Sequence, residues 1–518
     1  MKVLKKGILC CVIAAVLALG LCVGTFAAVE VAPAEMYAEK QMALDWLDQP
    51  EIVEKYGKMS DAIWSYAELG MQEFRSSKLV ADDLERAGFK LERGAAGMPT
   101  CFVATYGSGK PVIGLMGELD ALPMISNKGV PYQDPLVQGA PGHGCGHNQQ
   151  APAAAVAGIA VKKVMDRYGL KGTIKVFGAP AEETVVSRPY MVAAGLFDGV
   201  DAVMGNHGSS GIGGGTLGGI SGGCALFSTL YSFDGVTGHS AGSPWNAKSA
   251  LDAVDIMNVA TNFLREHLHY GYRMHYVIPS GGEAPNVVPD YASVWYFIRN
   301  SDERLLSMVE KVNNCAKAAA LATGTELTIR VYTAIHQSVA NAAFTKLTHQ
   351  NTMLVGMPEW SDEEQAFAKA LQKELGKPQV GRRTEISSLR EYDSTVKFTG
   401  GGSTDVAEVS RVTAYKTIGI PNSASGIIGH HWSRVAMGVG TANWKAITAT
   451  AKVMAATSID LLTDAKLLKG VRDDVAANIK EYGVYKSYLA PDALPPTDLN
   501  AELMEKYRPK MELTYLQP

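Results

Sequence analysis

The sequence of 518 residues carries 48 Lys and Arg against 52 Asp and Glu, a formal net charge of −4 at pH 7. An acidic chain without a basic run is not expected to bind nucleic acid. Its length exceeds what one hydrophobic core usually covers, so we expect two domains.

Residues 1–27 have the pattern of a signal peptide. Three lysines precede an apolar run over 8–23, and a small-x-small motif that signal peptidase accepts ends at Ala27. We expect cleavage next to Ala27 and export to the periplasm or the extracellular space, which gives a mature charge of about −7 and leaves no membrane contact. An uncleaved membrane anchor is the alternative, but the run is short for a span. A lipoprotein modified at Cys22 is disfavoured because a bulky residue precedes that cysteine.

Short apolar runs alternate with helical stretches in the first half of the mature chain. Apolar residues at helical spacing predict helices at 36–88, 151–168 and 189–194. Apolar runs bounded by turns predict strands at 100–106, 112–116, 174–179 and 202–204. Strands that alternate with helices indicate an α/β fold with a mostly parallel sheet. In such sheets, ligands bind outside the carboxyl ends of the strands.

The pattern changes between residues 225 and 335. The predicted order there is strand, helix, strand, strand, helix and strand, at 226–233, 249–268, 274–278, 292–298, 302–322 and 326–332. That order matches a split βαβ unit, so we expect an inserted α+β domain of the ferredoxin-like type over 225–335. The first domain is then discontinuous, over 34–224 and 336–490, with later helices at 344–354, 362–375 and 441–462. Residues 491–518 begin with several prolines and are expected to form a C-terminal extension packed over the surface.

A glycine-rich turn from Gly142 to Asn148 places the thiol of Cys145 two residues before the imidazole of His147. Thiolate and neutral imidazole are both good zinc ligands, and a helix N-terminus lowers the pKa of a thiol. A lone Cys-x-His pair is weak support for a metal site. Further candidate ligands elsewhere in the chain are needed to support it. Four cysteines remain in the mature chain, and because Cys145 is better explained as a ligand, we expect few or no disulfides.

Acidic residues follow two of the predicted strands. Glu182 and Glu183 come after the strand at 174–179, where adjacent carboxylates repel each other unless a cation lies nearby. One could bind a metal while the other acts as a base on a metal-activated water. Asp120 follows the strand at 112–116 and could orient a ligand histidine. Taken alone, an adjacent Glu pair is more often a solvated acidic turn.

Two further positions offer an imidazole ligand. His207 follows the strand at 202–204 and lies among glycines, although a lone histidine there is more often hydrogen-bonded within its loop. His430 and His431 lie in a late loop rich in glycine and serine, and either could reach the site. No single residue of this kind identifies a site, but their order along the chain is informative.

The ordered set resembles the zinc aminoacylase and carboxypeptidase superfamily: a Cys-x-His turn, a Glu pair at a strand end, a histidine at the next strand end and a late histidine. Within it, the motifs at 144–148 and 401–410 are similar to those of the B subunits of p-aminobenzoyl-glutamate hydrolases. The resemblance covers about residues 36–490. Where the wider branch of amidohydrolases has Cys-Gly-His-Asp-x-His, this chain has Asn and two Gln over 148–150, so the substrate range of that branch is not carried over.

The resemblance implies a zinc-exopeptidase-like catalytic domain that holds two divalent metal ions, zinc or else manganese or cobalt. The implied ligands are Cys145, His147, Glu183, His207 and His430. Cys145 would bridge the ions or lie between them, and Glu182 would be the general base. Asp120 would not bind metal itself but would orient a ligand histidine by a hydrogen bond. His430 is preferred to His431 because the ligand of the family directly follows the glycine in a Gly-His-x-Trp pattern.

The resemblance also implies that the inserted domain is a lid and dimerisation domain, in a homodimer or a heterodimer. His239 would reach into the site of the neighbouring subunit and polarise the scissile carbonyl. Asn286 and Arg299 match lid residues that bind substrate, and Arg is a suitable bidentate partner for an α-carboxylate.

The implied function is hydrolysis of the amide bond of N-acyl or N-aroyl amino acids such as p-aminobenzoyl-glutamate, by a metal-activated water with Glu182 as base. A second hypothesis is an exported dipeptidase or carboxypeptidase that acts on small peptides with the same metal chemistry. A third is an inactive binding or assembly protein on the same scaffold, which the presence of the base and all five candidate ligands disfavours.

Overall fold

The structure, a computed structural model, describes residues 28–220, 223–395, 398 and 400–518. The expected signal peptide over 1–27 therefore lies outside the described residues. Among those that are described, no helix is long and apolar enough to cross a membrane. The four cysteines of the mature chain are free thiols.

Strands and helices are numbered along the chain. The strands are β1 (Ala28–Val29), β2 (Lys90–Arg93), β3 (Phe102–Ser108), β4 (Val112–Glu118), β5 (Gly172–Ala179), β6 (Ala202–Gly208), β7 (Gly213–Leu217), β8 (Ala225–Asp234), β9 (Arg273–Ser280), β10 (Tyr291–Asn300), β11 (Glu326–Ile335), β12 (Ser387–Glu391) and β13 (Ala414–Ile420). The helices are α1 (Ala38–Leu47), α2 (Pro50–Tyr66), α3 (Phe74–Arg86), α4 (Gln150–Tyr168), α5 (Ser187–Ala193), α6 (Ala250–Leu264), α7 (Asp302–Thr323), α8 (Ala342–Val355), α9 (Asp362–Glu374), α10 (Val406–Val412), α11 (Trp432–Ala436), α12 (Thr441–Thr463), α13 (Ala465–Tyr482) and α14 (Ala501–Met511).

The main sheet has six strands in the order β13–β6–β4–β5–β3–β2. β13, β6, β4 and β5 run parallel, whereas β3 and β2 are antiparallel at one edge. Helices α4 and α12 pack against each other and against this sheet, while α1 and α2 pack on α12. The predicted α/β class with a mostly parallel sheet is confirmed.

The start of α4 lies close to the end of β4, and this brings the Cys-x-His turn to the edge of the sheet. A Cβ atom at Gly117 would lie 2.4 Å from the Cα atom of Ala151, so only glycine allows this approach. Buried alanines then line the first turns of α4. Small side chains let the helix lie close to the strands, which fixes the position of the turn that precedes it.

Residues 225–335 form a separate sheet of four antiparallel strands in the order β11–β8–β10–β9. Helices α6 and α7 pack on this sheet, and the apolar side chains between them form a core of their own. The predicted ferredoxin-like order of strands and helices is confirmed, and we call residues 225–335 the inserted unit. In its register, Leu226 of β8 pairs with Arg299 of β10 on one side and with Ile335 of β11 on the other.

The structure adds elements that the sequence pattern did not predict. β1, β12 and β7 form a small third sheet, and β7 begins with three glycines, which lack the side chains that signal a strand. Helix α13 buries only Leu468 and Val471, and most of its surface is polar or charged. The expected surface extension contains helix α14, which buries Met504 and Met511.

The C-terminal segment, defined as residues 483–518, contacts both sheet-bearing parts of the molecule. Asp498 pairs with Arg330 of β11 at 2.8 Å. Glu512 pairs with Arg75 of α3 at 2.7 Å. The segment therefore ties the inserted unit to the helices around the main sheet.

A buried ion pair joins the first helix to the long helix α12. Nζ of Lys40 lies 2.7 Å from Oδ1 of Asp460, and the two side chains are only 1% and 6% exposed. The Asp460 carboxylate also accepts hydrogen bonds from Tyr37 at 2.8 Å and from Asn351 at 2.7 Å. A carboxylate so placed depends on its partners, because a buried charge without a counter-charge is strongly destabilising.

We expect Lys40→Met to lower the free energy of unfolding by about 3–5 kcal/mol, because it leaves the Asp460 carboxylate buried without its cation. The double variant Lys40→Met/Asp460→Asn should recover part of that loss. Urea unfolding followed by fluorescence measures both. Lys58→Met is the matched control, since Lys58 pairs with Glu54 on the exposed face of α2 and its loss should change stability by no more than about 0.5 kcal/mol. Equal effects of the two lysine variants would contradict this account.

Candidate metal centre and its cavity

The carboxyl ends of three parallel strands meet at a cavity of about 520 Å³. Glu118 ends β4, Glu182 and Glu183 follow β5, and His207 lies near the end of β6. Neighbouring parallel strands end at the same edge of a sheet, so residues far apart in sequence converge here. The strand-end residues singled out from the sequence therefore surround one cavity.

The turn that carries Cys145 is fixed by a buried guanidinium. Gly146 has a φ of 85°, and a Cβ atom there would lie 2.5 Å from Nη2 of Arg434, so the position requires glycine. Arg434 is buried and donates hydrogen bonds to the carbonyl oxygen of Cys145 at 3.4 Å and to Asn422. The thiol of Cys145 lines the cavity as a result.

Asp120 ties two strand ends together. Its Oδ1 accepts a hydrogen bond from Nδ1 of His147 at 3.0 Å, and its Oδ2 accepts one from the backbone N–H of Glu183 at 2.8 Å. The first bond places the proton of His147 on Nδ1 and leaves Nε2 free to act as a ligand. The second holds the turn that carries the two glutamates.

Two groups of three side chains lie close enough to hold a metal ion, and both include Cys145. The first consists of Cys145, His147 and His207, and the second of Cys145, Glu183 and His430. Within each group the candidate ligand atoms all lie within 4.8 Å of one another. Sγ of Cys145 is 3.3 Å from Nε2 of His207, and Nε2 of His430 is 3.3 Å from Oε2 of Glu183.

The donor atoms fit divalent metal ions. Nε2 of His147 and Oε1 of Glu183 are buried and have no hydrogen-bond partner among the described residues. Nδ1 of His207 lies 3.1 Å from the carbonyl oxygen of Gly208, to which it can donate, and this leaves Nε2 of His207 for a ligand. Thiolate, imidazole and carboxylate together are a set that zinc accepts.

The pKa shifts reflect the crowding of these groups. Burial alone would raise the pKa of the Cys145 thiol, but the His207 imidazolium and hydrogen bonds from neighbouring histidines hold it well below its usual value. Burial and the Cys145 thiolate raise the pKa of Glu183 well above its usual value. Burial and the Glu118 carboxylate raise the pKa of Glu182 to about 8. A cation among these groups would favour their ionised forms.

A third cluster, Glu118, His147 and Glu182, is also compact, but an arginine occupies part of it. Arg188 is fully buried and lies 2.7 Å from Oε1 of Glu118 and 3.1 Å from Oδ1 of Asp405. It neutralises two buried carboxylates, so Glu118 contributes to an ion network rather than to a ligand trio. Glu118 belongs to the acidic stretch that follows the strand at 112–116. Arg188 could not be found from the sequence, because no motif surrounds it and its partner Asp405 lies 217 residues away.

The two adjacent histidines of the late loop point in different directions. His430 has a φ of 54° and reaches Glu183, as the Gly-His-x-Trp pattern led us to expect. His431 instead caps helix α11, where its Nδ1 accepts a hydrogen bond from the backbone N–H of Ser433 at 3.3 Å. Of the two, the structure brings His430 to the cluster.

The three candidate residues of the inserted unit are separated. Arg299 lines the cavity of its own chain. His239 and Asn286 do not line it; they lie side by side in loops of the inserted unit, where the backbone N–H of Ser240 donates to the carbonyl oxygen of Asn286 at 3.2 Å. Their expected role in the site of a neighbouring subunit stays a prediction.

The cavity also contains residues that the sequence analysis did not select. Cys224, His336 and Ser403 line it together with Arg299. Ser403 belongs to the glycine-rich motif at 401–410, and that motif could have identified it from the sequence as a candidate site residue. Cys224 directly precedes β8 and His336 directly follows β11. Only the pairing of these two strands shows that both residues lie at the same end of the sheet.

Residues 114–457 match the family model described as peptidase family M20/M25/M40. The chain is 36% identical over 449 residues to the B subunit of p-aminobenzoyl-glutamate hydrolase from Escherichia coli (strain K12), with 80% of this chain and 91% of that protein covered. It is 27% identical over 476 residues to Xaa-Arg dipeptidase from Mus musculus, with 86% and 94% covered.

A solved structure of the aminobenzoyl-glutamate utilization protein from Klebsiella pneumoniae has a similar fold. The TM-score is 0.53 at 19% sequence identity, and the match covers 80% of this chain and 97% of that one. At this level of identity the similarity concerns the fold alone.

We expect Asp120→Asn to weaken zinc binding about 10–100-fold, because the amide cannot accept hydrogen bonds from both His147 and the backbone of Glu183. Competition with a chromophoric chelator measures the affinity, and circular dichroism checks the fold. Asp134→Asn is the control, since Asp134 pairs with Lys128 away from the cavity. Wild-type zinc affinity in the Asp120 variant would remove the orienting role assigned to this carboxylate.

Proposed function

The chain belongs to peptidase family M20/M25/M40, and from this premise we propose that it hydrolyses the amide bond of N-acyl or N-aroyl amino acids such as p-aminobenzoyl-glutamate. Its family and relatives identify it as an amidohydrolase or peptidase. The observation that carries the choice of chemistry is the pair of ligand trios that share Cys145 beside Glu182.

The proposal includes two divalent cations, zinc or else manganese or cobalt, one at each trio with Cys145 shared between them. Such ions would lower the pKa of a water and polarise an amide carbonyl. Oε1 of Glu183 is buried without a hydrogen-bond partner among the described residues, and this supports the arrangement because buried polar atoms are otherwise almost always paired. Nε2 of His147 faces carboxylate oxygens, the nearest being Oε2 of Glu118 at 3.1 Å, and such a set of acceptors suits a cation.

Glu182 is proposed as the general base. Its carboxylate is 3.8 Å from Nε2 of His147, so it lies beside the ligand trios, and the cations proposed there would favour its ionised, proton-accepting form. It would accept a proton from the attacking water and then donate that proton to the departing amine. Glu183, whose other oxygen faces His430, is proposed as a ligand instead.

The inserted unit is proposed to bind the substrate. Arg299 lines the cavity, and its Nε has no hydrogen-bond partner among the described residues, which suits a carboxylate ligand. His239 and Asn286 are proposed to act in the site of a neighbouring subunit, where His239 would stabilise the oxyanion that forms during attack. Their exposed position outside the cavity of their own chain is compatible with that role.

A dipeptidase is the second candidate function, because the similarity to Xaa-Arg dipeptidase extends over 86% of the chain. The same centre would cleave a peptide bond. Arg299 in the cavity favours substrates that end in a carboxylate, which both hypotheses share. The side chain of the amino acid that carries this carboxylate therefore distinguishes them.

We also propose that the chain is exported and works as a homodimer or with a different second chain, as the name of the Escherichia coli relative indicates for that protein. The leader pattern over 1–27 supports export. Expression of the full-length gene should yield protein outside the cytoplasm that starts near Ala28, and its native mass should exceed that of one chain. A monomer with an intact leader, retained in the cytoplasm, would overturn both statements.

The two adjacent glutamates give a matched test of the mechanism. Glu182→Gln should reduce kcat for release of p-aminobenzoate from p-aminobenzoyl-glutamate by at least ~10²–10⁴-fold while metal content stays unchanged, because only the base is lost. Glu183→Gln should instead reduce metal content, measured by plasma emission spectroscopy. Near-wild-type hydrolysis by the Glu182 variant would refute the assignment. Dipeptides and hippurate-like compounds assayed in parallel show which substrate class the wild-type enzyme prefers.

A further inference from the structure

Two basic side chains stand at one end of the sheet of the inserted unit, and both line the cavity. Arg299 of β10 and Ile335 of β11 pair with the same residue, Leu226 of the strand between them. Two strand spacings therefore separate the backbones of Arg299 and Ile335, about 10 Å. His336 directly follows Ile335, and its side chain reaches the cavity that Arg299 also lines.

The part of the cavity wall outside the metal centre carries two basic side chains, Arg299 and His336, and no carboxylate among its described residues. Its three carboxylates, Glu118, Glu182 and Glu183, all belong to the strand ends of the main sheet. The other described residues of the wall include Arg299, His336 and several hydroxyl groups, and no acid. Arg299 forms no ion pair with any described carboxylate, so this wall offers positive charge and hydrogen-bond donors to a ligand.

His336 is held firmly by a buried acid. Its Nδ1 lies 2.8 Å from Oε1 of Glu408, and its backbone N–H donates to the same oxygen at 2.7 Å. Tyr485 donates its hydroxyl proton to the other oxygen of Glu408. With Glu408 fully buried and accepting these bonds, Nδ1 carries a proton that it donates to Glu408, and Nε2 is the ring atom left for the cavity.

The C-terminal segment completes this support. The ring of Tyr488 stacks on the imidazole of His336, with centroids 3.9 Å apart and planes 14° apart. Tyr485 and Tyr488 both lie beyond residue 457, where the match to the family model ends. The orientation of a cavity residue is thus set by a part of the chain that the family model does not include.

We propose that His336 binds the side-chain carboxylate of an acidic amino acid in the substrate, while Arg299 takes the α-carboxylate. This inference rests on the proposed function and names the residue that sets its specificity. A substrate with one carboxylate needs one basic partner, and this wall carries two basic side chains. Nδ1 of His336 already pairs with Glu408, so the proposed contact uses Nε2: a ring that also carries a proton there donates a charge-assisted hydrogen bond from Nε2–H to the substrate carboxylate.

The consequence is an order of preference among amino acids. A glutamyl side chain pairs with the imidazolium, whereas a glutaminyl side chain of the same size offers no charge. An arginyl side chain places like charges together and is rejected. The expected order of kcat/KM is therefore glutamate, then glutamine, then arginine, each as the p-aminobenzoyl amide.

The test is the double variant His336→Phe/Glu408→Gln. Phe keeps the ring that stacks on Tyr488, and Gln avoids a buried acid without its cation. We expect kcat/KM for p-aminobenzoyl-glutamate to fall about 10–100-fold, with less than about a 3-fold change for p-aminobenzoyl-glutamine. His267→Phe, at an exposed site, is the control and should leave both values unchanged. Equal losses on the two substrates, or no loss on either, would overturn the proposal.

Tyr485→Phe provides a second variant that removes a single hydroxyl and leaves the charges in place. Because the Tyr485 hydroxyl only supports Glu408, we expect a smaller loss of the preference for glutamate over glutamine, roughly 3–10-fold. If the double variant does not fold, Tyr485→Phe alone tests the proposal. An unchanged preference for glutamate over glutamine in that variant contradicts the positioning of His336 by Glu408 and Tyr485.

A binding measurement separates this inference from the proposed function. Calorimetry compares p-aminobenzoyl-glutamate and p-aminobenzoyl-glutamine as ligands of the zinc-loaded Glu182→Gln protein, with and without the His336→Phe/Glu408→Gln change. A preference for the glutamyl compound that disappears with His336 supports the proposal. Absence of hydrolysis by the wild-type enzyme would refute the proposed function alone, whereas equal binding of the two compounds would refute the role of His336.

Discussion

The geometry of the centre depends on the carboxylate of Asp120. One of its oxygens fixes the tautomer of His147 and the other holds the backbone of Glu183, so a single side chain sets the direction of a ligand on each of two elements. Asp120 is fully buried among other acids, and burial together with its charge raises the pKa of Glu73 to about 8. A carboxylate is stable in such a place only because N–H donors meet both of its oxygens.

Charge balance explains the division of the cavity. Four acids, Glu118, Asp120, Glu182 and Glu183, crowd the strand ends. Arg188 neutralises Glu118 together with Asp405, whereas the other three face only histidine rings among the described basic groups. The centre therefore favours divalent metal ions. The facing wall carries Arg299 of β10 and His336, which directly follows β11. Under the proposed function, the carboxylates of a substrate would lie against this wall and its amide at the strand ends.

The sequence predicted the elements and residues whose signal is local. Buried apolar runs located β4, β5 and β6, and the polar residues just after them fell at one cavity because parallel strands end together. The glycine-rich β7 was missed because glycine has no side chain to signal a strand, and α13 was missed because it is mostly polar and buries only two side chains. Arg188 and His336 were missed for another reason: their partners, Asp405 and Glu408, are remote in sequence and are brought near only by the complete fold.

The pairing of Leu226 with Ile335 has a further consequence. The chain enters and leaves the four-stranded sheet on neighbouring, antiparallel strands, so its two connections to the rest of the molecule lie only about 5 Å apart. A segment with adjoining ends can be replaced by a short turn, or exchanged for that of a relative, without displacing the strands on either side. If this unit binds the substrate as proposed, its exchange would alter substrate choice while the strand ends of the main sheet stay in place. The C-terminal segment, which pairs with Arg330 and stacks on His336, would have to be exchanged with it.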